Sequence, residues 1–306
     1  MNDYDLFNLS AEDILRDDLD KLGDEWRLLR RLSLPDRLNN STNARVRYAA
    51  ALDVETTGLS AETDEVIQLA LLPFSYEAET GRVLEIQNAR AFQGFREPGV
   101  AISEDARAIT GITPDMVAGK SIDEGAVLDL LKDIDLIIAH NAAFDRPMVE
   151  KHWPAFAEKP WACSLRGVNW TAEGMSAGKL DYLGMKFGWF FDGHRALADC
   201  EACIALLAQT LPISGDRVLS VVRKSASRKD FLIQALGSPF HAKEKLKARG
   251  YRWRPEDLPK GKVWWTITDD FEAECTWLEE EVFQSAVSLP KVEVTAYNRY
   301  SHRIWD

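Results

Sequence analysis

The sequence predicts an α/β protein, with a mixed β-sheet flanked by helices and a small α+β module after it. Two observations carry this prediction. Three strand-like segments follow one another without a helix between them: RYAAALDVETT (47–57), EVIQLALLPFSYE (65–77) and GRVLEIQNARAFQ (81–93). Further along, strand-like and helix-like segments alternate, as where LIIAHNA leads directly into AFDRPMVEKHW. A strand meander that continues into strand–helix alternation indicates a mixed sheet covered by helices.

Residues 1–47 are expected to form a helical N-terminal extension. Five apolar residues recur there at spacings of four and three, namely Leu15, Leu19, Leu22, Trp26 and Leu29. This spacing places them along one face of a helix. Such a face either packs on the chain's own domain or mediates self-association or contact with a protein partner.

Residues 48–212 are expected to form the α/β domain. After the three strands come the helical segments SEDARAITG and EGAVLDLLKDI, and then the buried strand LIIAHNA with its helix. WACSLR is a short strand candidate, and KLDYLGMKFG and ALADCEACIALLAQTL are the remaining helices. Residues 213–306 begin in the linker-like LPISGD and form a basic, tryptophan-rich C-terminal module.

The composition of the 306-residue chain, with 46% apolar and 28% charged residues, is that of a globular protein. No run of about 18 apolar residues occurs, so no membrane span is expected. The first residues are acidic, unlike a secretory signal, and we therefore expect a cytoplasmic protein. Cys200 and Cys203 fit one face of a helix, which favours reduced helix cysteines over a zinc or redox pair.

The charge is unevenly distributed along the chain. The formal net charge is −12, which by itself argues against a polyanionic partner. Residues 217–262, however, contain 13 Lys and Arg against four acids, a local balance of +9. This asymmetry indicates either a segment that faces nucleic acid or a solvated basic surface.

The segment ALDVETTGLS (51–60) has two acids where a buried strand is predicted. Side chains alternate along a strand, so Asp53 and Glu55 point to the same side. Two buried carboxylates repel each other and lose hydration, which calls for a compensating positive charge. No Lys or Arg lies between Arg47 and Arg82. Because hard oxygen ligands on short arms suit Mg²⁺ or Mn²⁺, the pair is a candidate half of a metal site.

Two further acids stand at the ends of other predicted elements. Asp145 follows the strand LIIAHNA, and Asp199 lies near the start of the helix ALADCEACIALLAQTL. Taken singly, each fits an ordinary solvated acid at a helix start. Taken together, the order D-x-E-T-T-G, I-T-G-I-T, H-N-x-x-F-D and H-x-x-x-x-D resembles the DEDDh branch of the DnaQ-like 3′–5′ exonucleases. The resemblance covers roughly residues 48–210.

The resemblance implies a ribonuclease H-like fold and a two-metal site. Asp53, Glu55, Asp145 and Asp199 would hold two divalent ions (Mg²⁺ or Mn²⁺), with Asp53 between them. His194 would act as general base, a role that suits an imidazole because it titrates near neutral pH. Two such ions suit phosphodiester hydrolysis, since one activates the nucleophile and the other stabilises the leaving oxygen.

The resemblance also implies a set of substrate contacts. The turn after the acidic pair would lie against the terminal nucleotide, and a second segment would lie beside the scissile nucleotide. Phe144 is explained either as a pocket residue or as core. The residues concerned are Thr56, Thr57, Gly58, Leu59, His140, Asn141 and Phe144.

The function implied is a metal-dependent 3′–5′ exonuclease that acts on single-stranded or frayed DNA ends and releases 5′-mononucleotides. One alternative is a 3′–5′ exoribonuclease of the same family, because the catalytic groups contact only the phosphodiester. The other is a nucleic-acid-binding, polymerase-associated subunit that no longer cuts. DNA is favoured over RNA because the motif D-x-E-T-T-G-L and the apolar second strand resemble the proofreading-type members.

The resemblance does not extend to residues 213–306, where basic and aromatic residues interleave between Lys243 and Arg254. Two explanations stay open for the tryptophans of this module. They stack on the bases of a single strand, or they supply the core that a small domain needs. The tryptophans concerned are Trp253, Trp264, Trp265 and Trp277. His152, His241 and His302 fit no motif and receive no role.

Overall fold

The computed structural model describes residues 27–41, 44–255, 258 and 260–305. Its described residues fall into two units, and the chain passes from the first to the second between Ser225 and Ala226. Each unit has its own sheet and its own buried apolar cluster. None of the described helices has the length and apolarity that crossing a membrane would require.

The first unit contains eight described strands and seven helices. The strands are β1 (Arg30–Arg31), β2 (Val46–Thr56), β3 (Val66–Glu77), β4 (Val83–Ile86), β5 (Phe92–Phe95), β6 (Leu136–Ala139), β7 (Trp161–Cys163) and β8 (Trp189–Phe190). The helices are α1 (Glu104–Thr110), α2 (Pro114–Val117), α3 (Glu124–Lys132), α4 (Ala142–His152), α5 (Leu180–Lys186), α6 (Ala196–Leu207) and α7 (Val218–Ser227), the last ending two residues past the boundary.

Six of these strands form one mixed sheet. Its order is β4–β3–β2–β6–β7, and β5 also pairs with β3. β2 to β5 pair antiparallel, whereas β6 and β7 lie parallel to β2. All twelve residues of β3 are buried, as expected for a strand covered on both faces, and α6 packs on β2 and β3. The predicted mixed sheet flanked by helices is confirmed.

One predicted strand is divided in the structure. GRVLEIQNARAFQ was expected to be continuous, but a 3₁₀ turn at Asn88–Arg90 separates β4 from β5. The Gln87 backbone N–H donates to the Pro73 carbonyl, and the Arg90 side chain donates to the Gln87 side chain, which fixes the turn. β4 and β5 therefore pair with different stretches of β3.

The described part of the N-terminal extension is extended rather than helical, which corrects the prediction for residues 27–41. β1 pairs in parallel with β8, and Arg37 forms a bridge with Glu85. These pairings satisfy backbone groups that a helix would have satisfied internally. Leu15, Leu19, Leu22 and Trp26, and with them the predicted partner-binding helix, lie outside the described residues.

The first unit also extends further along the chain than the predicted boundary at residue 212. Val218, Leu219 and Val222 of α7 are fully buried. The guanidinium of Arg223 donates to the Ala78 carbonyl at 2.7 Å and lies over the Tyr76 ring. These contacts attach α7 to the first unit, so the division falls at Ser225.

The second unit is a small α+β structure. Its strands are β9 (Asp230–Ala235), β10 (Arg252–Arg254), β11 (Val263–Thr268) and β12 (Val292–Val294), and its helices are α8 (Lys243–Ala248) and α9 (Phe271–Leu278). The order β10–β11–β9–β12 is antiparallel throughout. Leu246, Tyr251 and Leu278 belong to one buried cluster, and Leu232 and Trp305 belong to another.

The four tryptophans divide between the two explanations left open by the sequence. Trp277 stacks on Tyr251 at 6.0 Å, and Trp265 meets Trp305 edge-on at 5.1 Å. Trp264 packs against the cluster of Leu246 and Tyr251. These three rings are core residues, whereas Trp253 on the edge strand β10 keeps 48% of its surface exposed.

A buried ion pair stabilises the second unit. Asp230 and Arg299 are 3% and 5% exposed, and the Arg299 guanidinium donates to the Asp230 carboxylate and to the Arg228 carbonyl. We expect Asp230→Ala to lower the free energy of unfolding by about 3–5 kcal/mol, because it leaves a buried cation without its carboxylate. Urea denaturation measures this loss. Exposed Asp269→Ala is the control, and a loss below about 1 kcal/mol at Asp230 would contradict the expectation.

Candidate active site

The C-terminal half of β2 supplies two acids on one side of the sheet. Asp53 lies opposite Ala70 and Glu55 opposite Gln68 on β3, and Val54 between them points the other way. The pairing with β3 shifts register between Glu55 and Thr56, where the strand ends. Both carboxylates thus lie at the edge of the sheet where β2 leads into its turn.

Two helix starts supply the other acids. Asp145 lies in the first turn of α4, which directly follows β6, the parallel neighbour of β2. Asp199 lies in the first turn of α6, which packs on β2 and β3. The carboxyl ends of parallel strands meet at one edge of a sheet, so α4 begins beside the end of β2.

The structure brings the four acids together. Oxygens of Asp53, Glu55 and Asp199 lie within 4.8 Å of one another. Asp145 is 3% exposed, and after burial its charge is the largest influence on the pKa of Asp53. Residues separated by up to 146 positions in the sequence therefore form one carboxylate cluster.

Burial and mutual repulsion govern the ionisation of this cluster. Burial raises the pKa of Asp53 well above its usual range, and the charges of its three acidic neighbours raise it further. Burial raises the pKa of Glu55 to about 7, with a contribution from Asp199. It raises the pKa of Asp145 to about 8, although a hydrogen bond from the Val54 backbone opposes the shift.

Asp199 is subject to opposing influences. Burial raises its pKa, but the Arg195 N–H donates to its Oδ2 at 3.0 Å and the charge of His194 lowers the pKa. No Lys or Arg is among the groups that act most strongly on the four acids within the described chain. A cluster that holds its acids together without a basic side chain fits divalent cations, for which carboxylate oxygens are the preferred ligands.

His194 is positioned beside the cluster by an unusual backbone. It is exposed and lines the open cleft that also contains the four acids. Its φ is 63°, in the left-handed region that non-glycine residues seldom adopt. The residue lies in the loop between β8 and α6, five positions before Asp199. Backbone strain of this kind concentrates at functional sites, where the surrounding structure holds a side chain in place.

The turn after β2 is held by hydrogen bonds from its own side chains and from Lys151 on α4. The Thr56 hydroxyl donates to the Gly58 carbonyl at 2.6 Å, and the Lys151 ammonium on α4 donates to the Asp64 carbonyl. A Cβ on Gly58 would lie 2.5 Å from the Asp64 carboxylate. A side chain at this position would displace the Asp64 carboxylate from Thr57 and Ser60, so glycine suits the turn's internal packing, and Gly58 also lines the cleft. Leu59 at the tip is 87% exposed.

The structure corrects the prediction made for Thr57. It was expected to contact substrate, but it is fully buried and does not line the cleft. Its hydroxyl donates to Asp64 and accepts from the Glu65 N–H, and its backbone N–H and C=O bond to Glu65 and Ser103. Because it is buried and each of its polar groups is bonded inside the protein, Thr57 positions the turn rather than contacting a ligand.

The second predicted substrate segment also lines the cleft. Asn141 is exposed and precedes α4, and Phe144 is half-buried in the cleft wall. His140 is mostly buried, with Nε2 donating to the Gly178 carbonyl and Nδ1 accepting from the Ser164 hydroxyl, each at 2.8 Å. Burial lowers the pKa of His140 to about 4. It is therefore a neutral residue that fixes the wall.

The four acids, His194 and all the predicted substrate residues except Thr57 line one open cleft of about 840 Å³. The wall also includes residues to which the sequence gave no role, chiefly on α1: Ser103, Asp105, Ala106, Ile109 and Thr110. The ITGIT segment, which begins at Ile109, is the sequence signal that pointed to this wall, and Ile109 is 56% exposed. Within the described chain, His152, His241 and His302 lie outside this cleft.

The cysteines form no site of their own. Cys200 and Cys203 lie on α6 and are buried against the sheet, with Cys200 Sγ 3.5 Å from the Ala51 carbonyl. All four cysteines are free thiols. Cys200 thus packs α6 against the strand that carries Asp53.

Known proteins show similarity to this chain in sequence and in structure. The "DNA polymerase III PolC-type" of Listeria monocytogenes is 34% identical over 159 residues, which are 49% of this chain and 10% of that protein. The Bacillus subtilis PolC-type polymerase is 29% identical over 177 residues, 54% of this chain and 11% of that protein. The chain thus spans about a tenth of the length of these curated relatives.

Among solved structures, "Exonuclease X in complex with 5' overhanging duplex DNA" matches with a TM-score of 0.42 and 22% identity. It covers 58% of this chain and 99% of that chain. Escherichia coli exonuclease I bound to a dA16 oligonucleotide matches with a TM-score of 0.43 and 18% identity, covering 61% and 48%.

The family model RNase_T, described as "Exonuclease", matches residues 50–207, the stretch that carries β2 to α6 and the whole carboxylate cluster. The resemblance to DnaQ-like 3′–5′ exonucleases inferred from the motifs is thereby confirmed. Since the matched residues make up more than half of the 306-residue chain, this protein belongs to the exonuclease family, with its ribonuclease H-like fold.

Proposed function

We propose that this chain is a metal-dependent 3′–5′ exonuclease that shortens single-stranded or frayed DNA ends and releases 5′-mononucleotides. The observation that carries the proposal is the convergence of four carboxylates and His194 on one open cleft. The family match and the polymerase-type relatives support the same reaction class.

The acids Asp53, Glu55, Asp145 and Asp199 would hold two divalent cations (Mg²⁺ or Mn²⁺). Such ions, when bound, activate a water and stabilise the leaving 3′ oxygen. The protein's own contribution is to keep Asp53, Glu55 and Asp199 within 4.8 Å of one another on packed elements, so that little reorganisation is needed during the reaction.

His194 is proposed to accept the proton from the attacking water at a ring nitrogen. Its exposed position lets it pass that proton to solvent, and its held backbone keeps the ring at the cleft. Leu59 and Phe144 are proposed to contact the terminal nucleotides, because one is exposed at the tip of the turn and the other forms part of the cleft wall. Thr56, Gly58 and Asn141 line the cleft as well.

DNA is proposed as the substrate, with RNA as the second candidate. The curated relatives support DNA, since they are DNA polymerases. The test is degradation of matched single-stranded DNA and RNA of one sequence, each labelled at the 5′ end and carrying a free 3′ hydroxyl. A DNA ladder that shortens from the 3′ end supports the proposal, and faster RNA shortening would make the protein an exoribonuclease.

A non-cutting, nucleic-acid-binding subunit is the remaining candidate. All four acids and His194 are present and brought together, which favours activity over this candidate. Purified protein that leaves every 3′-ended substrate intact in Mg²⁺ and in Mn²⁺ would establish the non-cutting function. A cytoplasmic location stays a prediction that agrees with the four free thiols.

If the four acids bind divalent cations, the stabilisation of the folded protein by metal should depend on pH. Carboxyl groups with raised pKa values bind more protons in the folded than in the unfolded state, so the metal-free protein loses stability as pH rises from about 4 towards 8. A divalent ion removes this penalty. We expect a fixed MnCl₂ concentration, 100 times the Kd at pH 8, to raise the Tm by roughly 5–10 °C at pH 8, and by much less at pH 5.5 because protonated carboxyls bind the ion more weakly.

Differential scanning fluorimetry measures this difference. Sodium chloride at equal ionic strength is the control, and it should leave the Tm nearly unchanged. An equal or larger shift at pH 5.5 would contradict binding at the carboxylate cluster.

A further inference from the structure

The second unit has a pocket of about 530 Å³, and none of the residues that line it lines the cleft. Its wall combines aromatic rings, lysines and a glycine-containing loop. The lining residues are Gly237, Ser238, Pro239, Phe240, Lys243, Lys247, Trp253, Lys262 and Trp264. The pocket therefore occupies the corner between this loop, the helix α8 and the edge strand β10.

Two aromatic rings are exposed at this pocket without a packing reason. Phe240 is 88% exposed and Trp253 is 48% exposed, although the core of this unit is already filled by Trp264, Trp277 and their neighbours. The Trp253 ring lies 5.4 Å from that of Trp264, which supports it from the side. Exposed large aromatic side chains that gather at one pocket mark a binding surface.

The lysines of α8 are divided between two sides of the helix. Lys245 donates to the Glu281 carboxylate at 2.8 Å, and Arg249 just after the helix donates to Glu274 at 3.1 Å. Lys243 and Lys247, also four residues apart, line the pocket instead. The Lys243 ammonium lies 5.9 Å above the Phe240 ring, and Lys247 has an exposed contact with Glu244 at 3.3 Å.

We propose that this pocket binds single-stranded nucleic acid, with bases stacking on Phe240 and Trp253 and phosphates contacting Lys243 and Lys247. Every base offers a flat face to an exposed ring, and cations beside the ring contact the adjacent backbone. All lining residues but Trp264 lie in the stretch 217–262, whose local balance of +9 complements a polyanion within a chain of net charge −12. A neutral peptide explains the rings but not the lysines.

This binding function goes beyond the proposed cleavage and is tested without it. Full-length protein in EDTA is titrated into a fluorescein-labelled oligothymidylate of about 20 nucleotides, and anisotropy gives the Kd. Phe240→Ala and Trp253→Ala are each expected to weaken binding by roughly 5- to 100-fold. The matched control is Tyr297→Ala, which removes another exposed aromatic ring of the same unit outside the pocket.

The salt dependence tests the lysines independently. The logarithm of the binding constant falls linearly with the logarithm of the salt concentration. In Lys243→Ala and Lys247→Ala we expect this negative slope to become shallower by about 0.7 for each phosphate that the protein no longer neutralises. Lys229→Ala, an exposed lysine paired with Glu293, is the control and should keep the wild-type slope. Unchanged Tm values show that the variants remain folded, which is expected for the highly exposed Phe240.

Photo-crosslinking identifies the residues that bases contact. An oligonucleotide with 5-iododeoxyuridine is expected to crosslink to Phe240 or Trp253 when irradiated in complex with the protein. Wild-type Kd and salt slope in all four pocket variants, or crosslinks confined to the cleft of the first unit, would overturn the proposal and assign the pocket to another partner. Loss of nuclease activity alone would leave these binding results unaffected.

Discussion

Asp53→Asn will lower exonuclease activity by about 10³-fold or more, equivalent to more than about 4 kcal/mol of transition-state stabilisation. Asp53 is the acid on which the charges of Glu55, Asp145 and Asp199 all act. The change keeps the shape of the side chain but removes its charge, so the cluster holds cations poorly while β2 keeps its packing. A gel assay with 5′-labelled single-stranded DNA measures the loss.

The same substitution should make the metal-free protein more stable. Burial and repulsion disfavour the charged form of Asp53, and asparagine lacks that charge. We expect the metal-free Tm at pH 8 to rise by roughly 2–8 °C, corresponding to about 1–2 kcal/mol. The stabilisation by MnCl₂ should shrink at the same time.

Asp129→Asn is the matched control for both measurements. Asp129 is exposed on α3 and pairs with Lys132 at 2.7 Å, away from the cleft. It should retain wild-type activity and the wild-type response to metal. Full activity in Asp53→Asn, or a metal-free Tm well below that of the wild type, would show that Asp53 has another role.

His194→Asn should lower kcat by about 10²- to 10⁴-fold with little change in KM, as expected when a general base is removed. Asparagine is chosen because it tolerates the left-handed backbone found at this position, where φ is 63°. The acids remain, so the stabilisation by MnCl₂ should persist. This combination separates loss of the base from loss of the metal site.

His241→Asn is the control, since His241 is exposed in the second unit and outside the cleft. Steady-state kinetics on one DNA substrate measures both variants. If His194→Asn raised KM strongly and left kcat unchanged, His194 would be a substrate-positioning residue. An abolished response to MnCl₂ would instead indicate that the substitution had disturbed Asp199.

The sequence indicated the acidic cluster because strand periodicity and missing basic neighbours are local properties. Asp53 and Glu55 share a side by period two, and no Lys or Arg is near them in sequence. The convergence of Asp145 and Asp199 on that pair depends on which strands are neighbours. The family resemblance supplied that information, since spacing along the chain does not specify strand order.

The parts that sequence reasoning missed depend on tertiary contacts. Thr57 was expected to contact substrate, but it is buried and bonded to Asp64, seven residues away, whereas Gly58 does line the cleft while also packing against Asp64. Residues 30–31 were expected to be helical like the rest of residues 1–47, but they form a strand that pairs with β8, about 160 residues later in the chain. Trp253 and Trp264 are alike in sequence, and only their places in the sheet, at the edge or inside it, separate a surface ring from a core ring.

The position of α6 has a consequence for biosynthesis. Asp199 lies in the first turn of α6, which packs on β2 and β3, and it joins a cluster whose first member is Asp53. A nascent chain that has not yet released α6 from the ribosome therefore lacks one of its acids and cannot be active. Nuclease activity therefore requires that the strand carrying Asp53 and the helix carrying Asp199 have docked, so a product truncated before α6 has an incomplete carboxylate cluster and should not cut nucleic acid.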